Sequence, residues 1–329
     1  TPTPLPYRFL SDATCTLADM RLEPRGRADA PVFSRALFEM IKNAQELREQ
    51  VFLFAGRRGL APQTVCRDCG ALVLCSACGT PLTLHAKTPP SHGFGEASGR
   101  KFLCHRCGET RSAEENCREC GSWRLLPLGI GAETVEAALA QVAPKEKLFL
   151  LESDTVTPRR AAELVERFRA TSGSVLVGTE MALPYLQEPV DRVGVVSLDA
   201  FFHVPDFRMH EKILGMLMRL RALARKTYLV QTRHAERPVF RAALEGNLLD
   251  FYREEIAERK RYSYPPFMRL VSVSNLPVLP AELEEKLSKW RPERFDQSLL
   301  IRVPPTSWPD EDLITILRTL SPTVLIEIT

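Results

Sequence analysis

Apolar residues along the chain follow two spacings, one typical of helices and one typical of buried strands. Between residues 31 and 50 they recur every three or four positions, which predicts a helix, and the unbroken apolar run at 51–55 predicts a strand directly after it. Further strands are predicted at 125–128, 147–151, 174–178, 193–198 and 227–231, and further helices at 133–142, 158–170 and 207–226. Helices that alternate with unbroken apolar strands indicate an α/β fold with a mostly parallel sheet covered on both faces.

Two stretches depart from this alternation. Residues 66–121 show little helical periodicity and many turn formers, so we interpret them as an insertion into an α/β lobe. After Pro265 and Pro266, a compact β/α domain is predicted, with strands at 270–274, 299–303 and 323–328 and helices at 280–290 and 309–320. The predicted organisation is a lead segment at 1–30, the α/β lobe at 31–65 and 122–262, the insertion at 66–121, and the C-terminal β/α domain at 263–329.

Composition places few limits on function. The 329 residues are 44% hydrophobic and 26% charged, which is typical of globular domains, and the net charge of +3 is too small to indicate a polyanion partner by itself. No apolar run reaches the roughly 18 residues that a membrane helix needs, and residues 1–12 lack a signal-peptide pattern. We therefore expect a cytoplasmic protein with no membrane partner. Because Thr1 is not preceded by Met, we also expect a processed or truncated piece of a longer protein.

Eight of the nine cysteines form four CxxC pairs: Cys66 with Cys69, Cys75 with Cys78, Cys104 with Cys107, and Cys117 with Cys120. Two residues between cysteines let a tight turn direct both thiolates at one tetrahedral ion, and a structural zinc takes four such ligands. Eight thiolates therefore predict two zinc ions, with iron–sulfur clusters or a disulfide framework as the alternatives. The cysteines alone do not show which pairs share an ion. A zinc closed by four thiolates has no open position for water, so its predicted role is structural.

Other candidate residues are less distinctive. His85 and His105 lie near the cysteines, but eight thiolates already fill two sites, so we interpret both as packing or surface residues. The stretch 208–241 contains nine Lys or Arg and two Glu, which indicates either a phosphate-binding surface or a solvated helix face. From the basic residues we predict DNA contacts by Arg57, Arg58, Arg219, Arg221 and Arg225. Neither a GxxxxGK followed by Ser or Thr nor a nucleophile with a matching histidine stands out, so the motifs indicate no catalytic chemistry.

A combination of motifs resembles the C-terminal half of the primosomal protein N′ family, the replication-restart DNA helicases of bacteria. The motifs are Asp19 to Arg21, VFLFAGRRGLAP at 51–62, the eight cysteines with LTLH at 82–85 and CHRCG at 104–108, GAE at 131–133, Asp154 with Thr155, VGTEM at 177–181, PDFR at 205–208 with Glu211, QT at 231–232 and YPPF at 264–267. The match covers most of the chain, and the cysteine block together with PDFR and YPPF is specific.

The resemblance implies that the α/β lobe is the second RecA-like lobe of a superfamily 2 helicase that carries the zinc-binding insertion. It implies interleaved ligation, with one zinc held by Cys66, Cys69, Cys117 and Cys120 and the other by Cys75, Cys78, Cys104 and Cys107. The implied partners are forked or single-stranded DNA, primosome components and single-strand-binding proteins. ATP with Mg²⁺ would bind only together with a first lobe, and the remnants of that cleft in this chain would be Gly178, Thr179, Glu180 and Lys226.

The chain departs from the family at the motif whose arginines reach ATP. The family's QVAGRAGR aligns with RLRALARK at 219–226, where both glycines are absent and the two arginine positions fall on Leu223 and Lys226. An arginine presents a planar fork of donors that neither Leu nor Lys replaces. Pro184 and Tyr185 also stand near the place where the family has a Lys-Gly pair. We therefore predict that this chain alone does not hydrolyse ATP.

Two functional hypotheses follow. The first is a portion of a primosomal replication-restart helicase, active in 3′ to 5′ unwinding only with a first lobe, that binds forked or single-stranded DNA and supports primosome assembly. The second is a non-catalytic adaptor that keeps the zinc-stabilised scaffold for fork binding or primosome docking while the motor motifs have decayed. An unrelated zinc-ribbon protein of transcription or RNA metabolism would explain the cysteines, but not PDFR and YPPF at their places.

Overall fold

The structure is a computed structural model that describes residues 11–24, 32–56, 63–66, 68–69, 71–77, 81–85, 101–104, 109–113, 115–128, 132–140, 142–151, 157–203, 206–274, 281–295 and 298–329. The chain divides into two compact units, Thr1–Leu248 and Leu249–Thr329. Within the described residues, no helix is both long enough and apolar enough to cross a bilayer.

The strands in chain order are β1 (Thr14–Asp19), β2 (Val51–Ala55), β3 (Gln63–Cys66), β4 (Thr83–His85), β5 (Lys101–Leu103), β6 (Thr110–Ser112), β7 (Leu125–Leu128), β8 (Leu148–Leu151), β9 (Val175–Gly178), β10 (Val190–Ser197), β11 (Ala224–Thr232), β12 (Arg269–Ser274), β13 (Glu293–Phe295), β14 (Ser298–Val303) and β15 (Leu325–Ile328). The α-helices are α1 (Arg35–Leu47), α2 (Ala132–Leu139), α3 (Pro158–Ala170), α4 (Met209–Leu223), α5 (Pro238–Glu245), α6 (Leu248–Arg261), α7 (Ala281–Leu287) and α8 (Glu311–Arg318).

The first unit is built on a six-stranded sheet in the order β1-β11-β10-β2-β9-β8, in which every neighbouring pair is parallel. The predicted α/β class with a parallel sheet is therefore confirmed. All five residues of β2 are buried, as expected of a strand covered on both faces. Residues 14–19, which the sequence interpretation placed in the lead segment, form the edge strand β1 and pair with β11.

Helix α1 begins where its sequence supplies a cap. The Ser34 side chain accepts a hydrogen bond from the Leu37 backbone N–H at 3.1 Å, which satisfies one of the free donors at a helix start. The apolar face then buries Leu37, Met40, Ile41 and Ala44 in one cluster with the central strands. Helix α3 likewise begins as predicted, because Thr157 accepts from the Arg160 N–H and Pro158 occupies the first helical position.

A buried glutamine joins α1 to the sheet. The Gln231 side chain, on β11, accepts a hydrogen bond from the Ser34 N–H at 2.9 Å and donates to the carbonyls of Val32 at 2.6 Å and Val196 at 2.8 Å. A buried amide is tolerated only when its polar atoms have partners, and this one has three. Gln231 therefore fixes the start of α1 over the carboxyl ends of the central strands.

The predicted helix at 207–226 extends too far. Helix α4 ends at Leu223, and Ala224 already has extended backbone and begins β11, so Arg225 and Lys226 belong to a strand. The apolar spacing of the helix passes into the strand at a buried alanine, and no Gly or Pro marks the junction. The sequence analysis also missed α5 and α6.

Two small antiparallel sheets lie in and next to the described part of the cysteine-rich insertion. Strands β3 and β7 pair with each other, so the predicted strand at 125–128 exists but lies outside the six-stranded sheet. Strands β4, β5 and β6 form the second sheet. Val73, Leu82 and Phe102 form its small core with two buried thiols, those of Cys75 and Cys104.

The second unit contains an antiparallel sheet in the order β13-β14-β12-β15, with α7 and α8. Alternating residues of β14 are buried, and Leu299, Ile301 and Val303 join Leu313 and Leu317 of α8 in one core. The strands and helices predicted after residue 268 are present, although β13 was not predicted. The predicted domain boundary before residue 263 stays a prediction.

Candidate metal centre

Three of the CxxC turns have the same backbone hydrogen bond. The N–H of the first cysteine donates to the carbonyl five residues later, from Cys66 to Ala71 at 2.8 Å, from Cys104 to Glu109 at 2.8 Å, and from Cys117 to Ser122 at 2.7 Å. This bond closes a tight turn, and Gly121 in the third turn has a left-handed backbone (φ 70°) that favours glycine. In the Cys66–Cys69 and Cys117–Cys120 turns, both thiols of the pair therefore lie on the same side.

Four thiols from two distant turns converge. The sulfur atoms of Cys66, Cys69, Cys117 and Cys120 all lie within 4.8 Å of one another. The Cys66 and Cys120 sulfurs are 3.5 Å apart, and those of Cys69 and Cys117 are 3.6 Å apart. Tetrahedral zinc with Zn–S bonds of about 2.3 Å separates its sulfurs by about 3.8 Å. The four thiols thus have nearly the spacing that a tetrahedral ion requires, and this cluster could hold a metal ion such as zinc.

The electrostatics of the cluster also suit a cation. The Cys69 backbone N–H, with that of Asp68 and the Cys120 thiol, lowers the pKa of the Cys66 thiol to about 6. The Ser122 backbone N–H lowers the pKa of Cys120, but the thiols of Cys66 and Cys69 outweigh it and raise that pKa to about 12. One thiolate therefore opposes ionisation of its neighbours, and a divalent ion would remove that opposition. When bound, a zinc ion there would supply a cross-link between the two turns.

A polar link outside the thiols joins the same two turns. The Ser122 hydroxyl donates to one carboxylate oxygen of Asp68 at 2.5 Å, and the Arg124 guanidinium donates to the other at 3.2 Å. Asp68 lies between Cys66 and Cys69, and Ser122 follows Cys120. The sequence analysis missed this link, since an acidic residue inside a CxxC turn gives no indication of its partner.

The second predicted cysteine set is only partly described. Cys75 and Cys104 are buried in the core of the insertion, whereas Cys78 and Cys107 lie outside the described residues. The Cys75 thiol donates to the Glu109 carboxylate at 2.6 Å, and this bond is the largest of the influences that lower the pKa of Glu109. Glu109 was not singled out from the sequence. A second zinc stays a prediction. His105 also lies outside the described residues, and the described four-thiol group contains no histidine.

The three described arginines that were predicted to contact DNA lie in different surroundings. Arg221 is only 4% exposed, and its guanidinium donates to the Ala243 carbonyl at 3.0 Å, so it does not lie where DNA could reach it. Arg219 is exposed on α4, whereas Arg225 is exposed at the start of β11 and lies 3.6 Å from the Asp191 carboxylate. Arg57 and Arg58 lie outside the described residues.

The predicted remnants of the ATP cleft lie at opposite ends of the parallel strands. Gly178, Thr179 and Glu180 are at the carboxyl end of β9, whereas Lys226 is at the amino end of β11. The strand register places Gly178 four residues beyond Lys226 along the strand direction, a distance of about 13 Å. The Lys226 ammonium donates to the Glu49 carboxylate at 2.5 Å, and the same carboxylate accepts from Arg192 at 2.6 Å. Lys226 therefore belongs to an ion-pair cluster, and the structure does not bring it near the other three residues.

A pocket of about 570 Å³ opens beyond the carboxyl ends of β9 and β10. Its lining combines apolar side chains with four charged residues, which are Glu180, Asp206, Lys212 and Arg219. Burial would raise the pKa of Asp206, but hydrogen bonds from Lys212 and from the backbone and side chain of Arg208 lower it to about 2. Arg219, one of the predicted DNA-contact residues, thus lines this pocket.

The fold and the thiol cluster together define an α/β protein with a cysteine-rich insertion that can hold a metal ion. Its sequence is similar to the replication restart protein PriA of Treponema pallidum, with 30% identity over 74% of this chain and 36% of the relative. The PriA proteins of Bacillus subtilis and Chlamydia trachomatis are each 31% identical, over 81% and 78% of this chain and 33% and 34% of their own length. The chain is thus similar to a C-terminal portion of the replication restart protein PriA.

The chain spans about one third of the length of the PriA proteins that it matches. No model of a known protein family matches it. The similarity to PriA agrees with the replication-restart family that the motifs of the sequence indicated.

Proposed function

We propose that this chain is the zinc-stabilised, DNA-binding C-terminal part of a replication-restart helicase. In this proposal, residues 31–65 and 122–262 are the second RecA-like lobe of a superfamily 2 helicase, residues 66–121 are the zinc-binding insertion, and residues 263–329 are a C-terminal domain. The chain binds forked or single-stranded DNA and supports primosome assembly. Hydrolysis of ATP with Mg²⁺ requires a first lobe.

One observation carries the proposal. Four thiols from two distant turns lie at nearly tetrahedral spacing, in a chain that matches PriA proteins over three quarters of its length. In sequence, Cys69 and Cys117 are 48 residues apart, and Cys66 and Cys120 are 54 residues apart. A site closed by four thiolates is structural, so the metal would hold the insertion in shape and would take no part in a reaction. The insertion then serves as a rigid surface for DNA or for protein partners of the primosome.

Binding to labelled forked DNA tests the proposal. The zinc-loaded chain should bind a fork more tightly than duplex of the same length, and the affinity should fall as salt rises, because neutralised phosphates release counterions. Single-stranded and duplex controls separate a fork preference from general attraction to phosphate. The absence of binding by a folded, zinc-loaded chain would contradict the proposal.

The second candidate, a non-catalytic adaptor, is favoured by the position of Lys226. This residue stands at one of the family's arginine positions, yet its ammonium is bonded to Glu49 at the amino edge of the sheet. The side chain of Leu223, at the other arginine position, has no hydrogen-bond donor and no charge. Charge stabilisation of phosphoryl transfer by this segment is therefore lost.

ATP hydrolysis distinguishes the two candidates. In a polypeptide where a first lobe precedes this chain, we expect little or no turnover in the presence of forked DNA. Vigorous DNA-stimulated hydrolysis would exclude the adaptor and favour a working motor. The protein partners expected for both candidates are primosome components and single-strand-binding proteins.

A further inference from the structure

Three basic residues occupy the last turn of α6, and their surroundings differ. The Arg259 guanidinium donates to the Glu255 carboxylate at 2.9 and 3.0 Å, and both side chains are largely buried. Lys260 and Arg261 are exposed, and neither forms an ion pair with another described residue. The described residues therefore include no carboxylate that is paired with either of these two positive charges.

The helix end does not need these two side chains as caps. Ser263 has a left-handed backbone (φ 55°). The Tyr264 N–H donates to the Arg259 carbonyl at 2.8 Å, and the Ser263 N–H donates to the Lys260 carbonyl at 3.3 Å. This pair of backbone bonds is the standard way for a helix to satisfy its last carbonyls. The side chains of Lys260 and Arg261 thus remain available to a partner.

An aromatic ring lies directly beside the two cations. Tyr262 is 49% exposed, and the Arg261 guanidinium lies over its ring at 5.5 Å from the centroid. The ring of Tyr264 is 6.2 Å from that of Tyr262 and tilted by 42°. The backbone bonds at the helix end set the backbone positions of both tyrosines, and the exposed Tyr262 ring lies next to Lys260 and Arg261 on the surface.

We propose that Lys260, Arg261 and Tyr262 form a contact site for single-stranded DNA. Lys260 and Arg261 would neutralise phosphates, and Tyr262 would stack on a base, a combination that binds single strands without sequence preference. The proposal rests on the DNA-binding function proposed above and assigns part of it to specific residues. Cations alone would also suit an acidic peptide, but an aromatic ring half open to solvent beside them favours a nucleic acid.

This site differs from the arginines that the sequence analysis selected. Arg221 is buried, and Arg225 faces a carboxylate at the amino edge of the sheet. Counting basic residues in sequence does not separate the paired from the unpaired ones. Lys260 and Arg261 stand out only after the ion pair of Arg259 is seen.

The test measures binding of the full zinc-loaded chain to a fluorescent oligo-dT at several salt concentrations. Removing two phosphate contacts in K260A/R261A should lower the slope of log affinity against log salt by about 1.4, since each contact to a single strand contributes about 0.7. The matched control is K286A, which removes an exposed cation from the last turn of α7. We expect its slope to equal that of the wild type.

The aromatic part of the site is tested with Y262L and Y262F. Loss of the ring in Y262L should weaken the affinity for oligo-dT about 5- to 100-fold, which is the size of effect expected when one base no longer stacks on an aromatic residue. The slope of log affinity against log salt should stay unchanged. Y262F keeps the ring and should bind like the wild type. Circular dichroism establishes that each variant is folded, and because Tyr262 is exposed, we expect all of them to fold.

The outcomes are distinguishable. If the wild type binds and K260A/R261A and Y262L bind equally well, the site is wrong while the proposed function stands. If the folded wild type binds no DNA, both fail. If polyglutamate displaces the oligonucleotide and Y262L retains wild-type affinity, the cations serve an acidic partner and the assignment to DNA is overturned.

Discussion

Replacing Cys117 with serine removes one of the four converging thiols, and we expect the zinc-loaded chain to lose one metal ion per molecule. The magnitude of the effect on stability follows from the cross-link that the ion makes. Cys69 and Cys117 are 48 residues apart, and Cys66 and Cys120 are 54 residues apart. A cross-link that closes a loop of about 50 residues restricts the unfolded chain by about 4 kcal/mol in the polymer model. That free energy corresponds to about a 1,000-fold change in the opening equilibrium.

Hydrogen exchange measures this change where it should occur. The amides of Cys66, Val73 and Cys117 donate to backbone carbonyls in the insertion or directly next to it, so they exchange only when it opens. We expect their protection to fall by about three orders of magnitude in C117S, with much less change in the strands of the six-stranded sheet. The control is C15S, because Cys15 lies on β1 and not in the cluster. If C117S loses a metal ion but keeps its protection, the ion does not serve as the cross-link that we describe.

Three further predictions concern the first unit. The pKa of Asp206 is lowered from 3.8 to about 2, so the stabilisation by its carboxylate is complete above pH 4 and is lost as pH falls through 2. In urea unfolding, the free energies of unfolding of the wild type and D206N should therefore differ at pH 6 and converge at pH 2. A methyl group on Gly178 would lie 2.7 Å from a neighbouring side-chain carbon, so G178A should lower the free energy of unfolding by about 1–3 kcal/mol, whereas G215A, in open space on a helix, should raise it by up to about 1 kcal/mol. If Lys226 is an ion-pair partner, E49Q should destabilise the wild type more than it destabilises K226M in urea unfolding; equal effects in both backgrounds would remove that role.

The sequence predicted the parallel sheet well because its strands are buried on both faces. The run Val51–Ala55 and the capped helix Pro158–Ala170 were located to the residue, since unbroken apolar residues and the Thr-Pro start are strong local signals. The edge strand β1 was missed, because only one of its six residues is fully buried and the alternation is weak. The end of α4 was misplaced because apolar residues continue from the helix into β11.

The candidate site was predictable in its residues and less so in its arrangement. The CxxC spacing predicted the candidate ligands, because such a turn can direct two thiolates at one ion. The pairing of Cys66 and Cys69 with Cys117 and Cys120 came from family resemblance, and the structure brings these four sulfur atoms together. Asp68 and Glu109 could not be chosen from sequence, since their partners are fixed only when distant turns meet.

The functional surfaces were the hardest to predict. Arg221 and Arg225 were selected for their charge. Arg221 is buried, however, and the Arg225 guanidinium lies near the Asp191 carboxylate. The family resemblance grouped Lys226 with Gly178 in the ATP cleft. In the parallel sheet, however, Lys226 lies near the amino end of β11 and Gly178 lies at the carboxyl end of β9. Sequence records which charges exist, but ion pairing and burial decide which of them can meet a ligand.

The most direct test of the account is fork binding by one preparation of the chain before zinc removal, after it, and after zinc is restored. We predict tight binding that depends on salt in the loaded chain, its loss in the stripped chain, and its recovery with zinc in proportion to the metal bound. Equal binding in all three states would contradict a zinc-stabilised DNA-binding module. Failure of the folded, zinc-loaded chain to bind would contradict DNA binding itself.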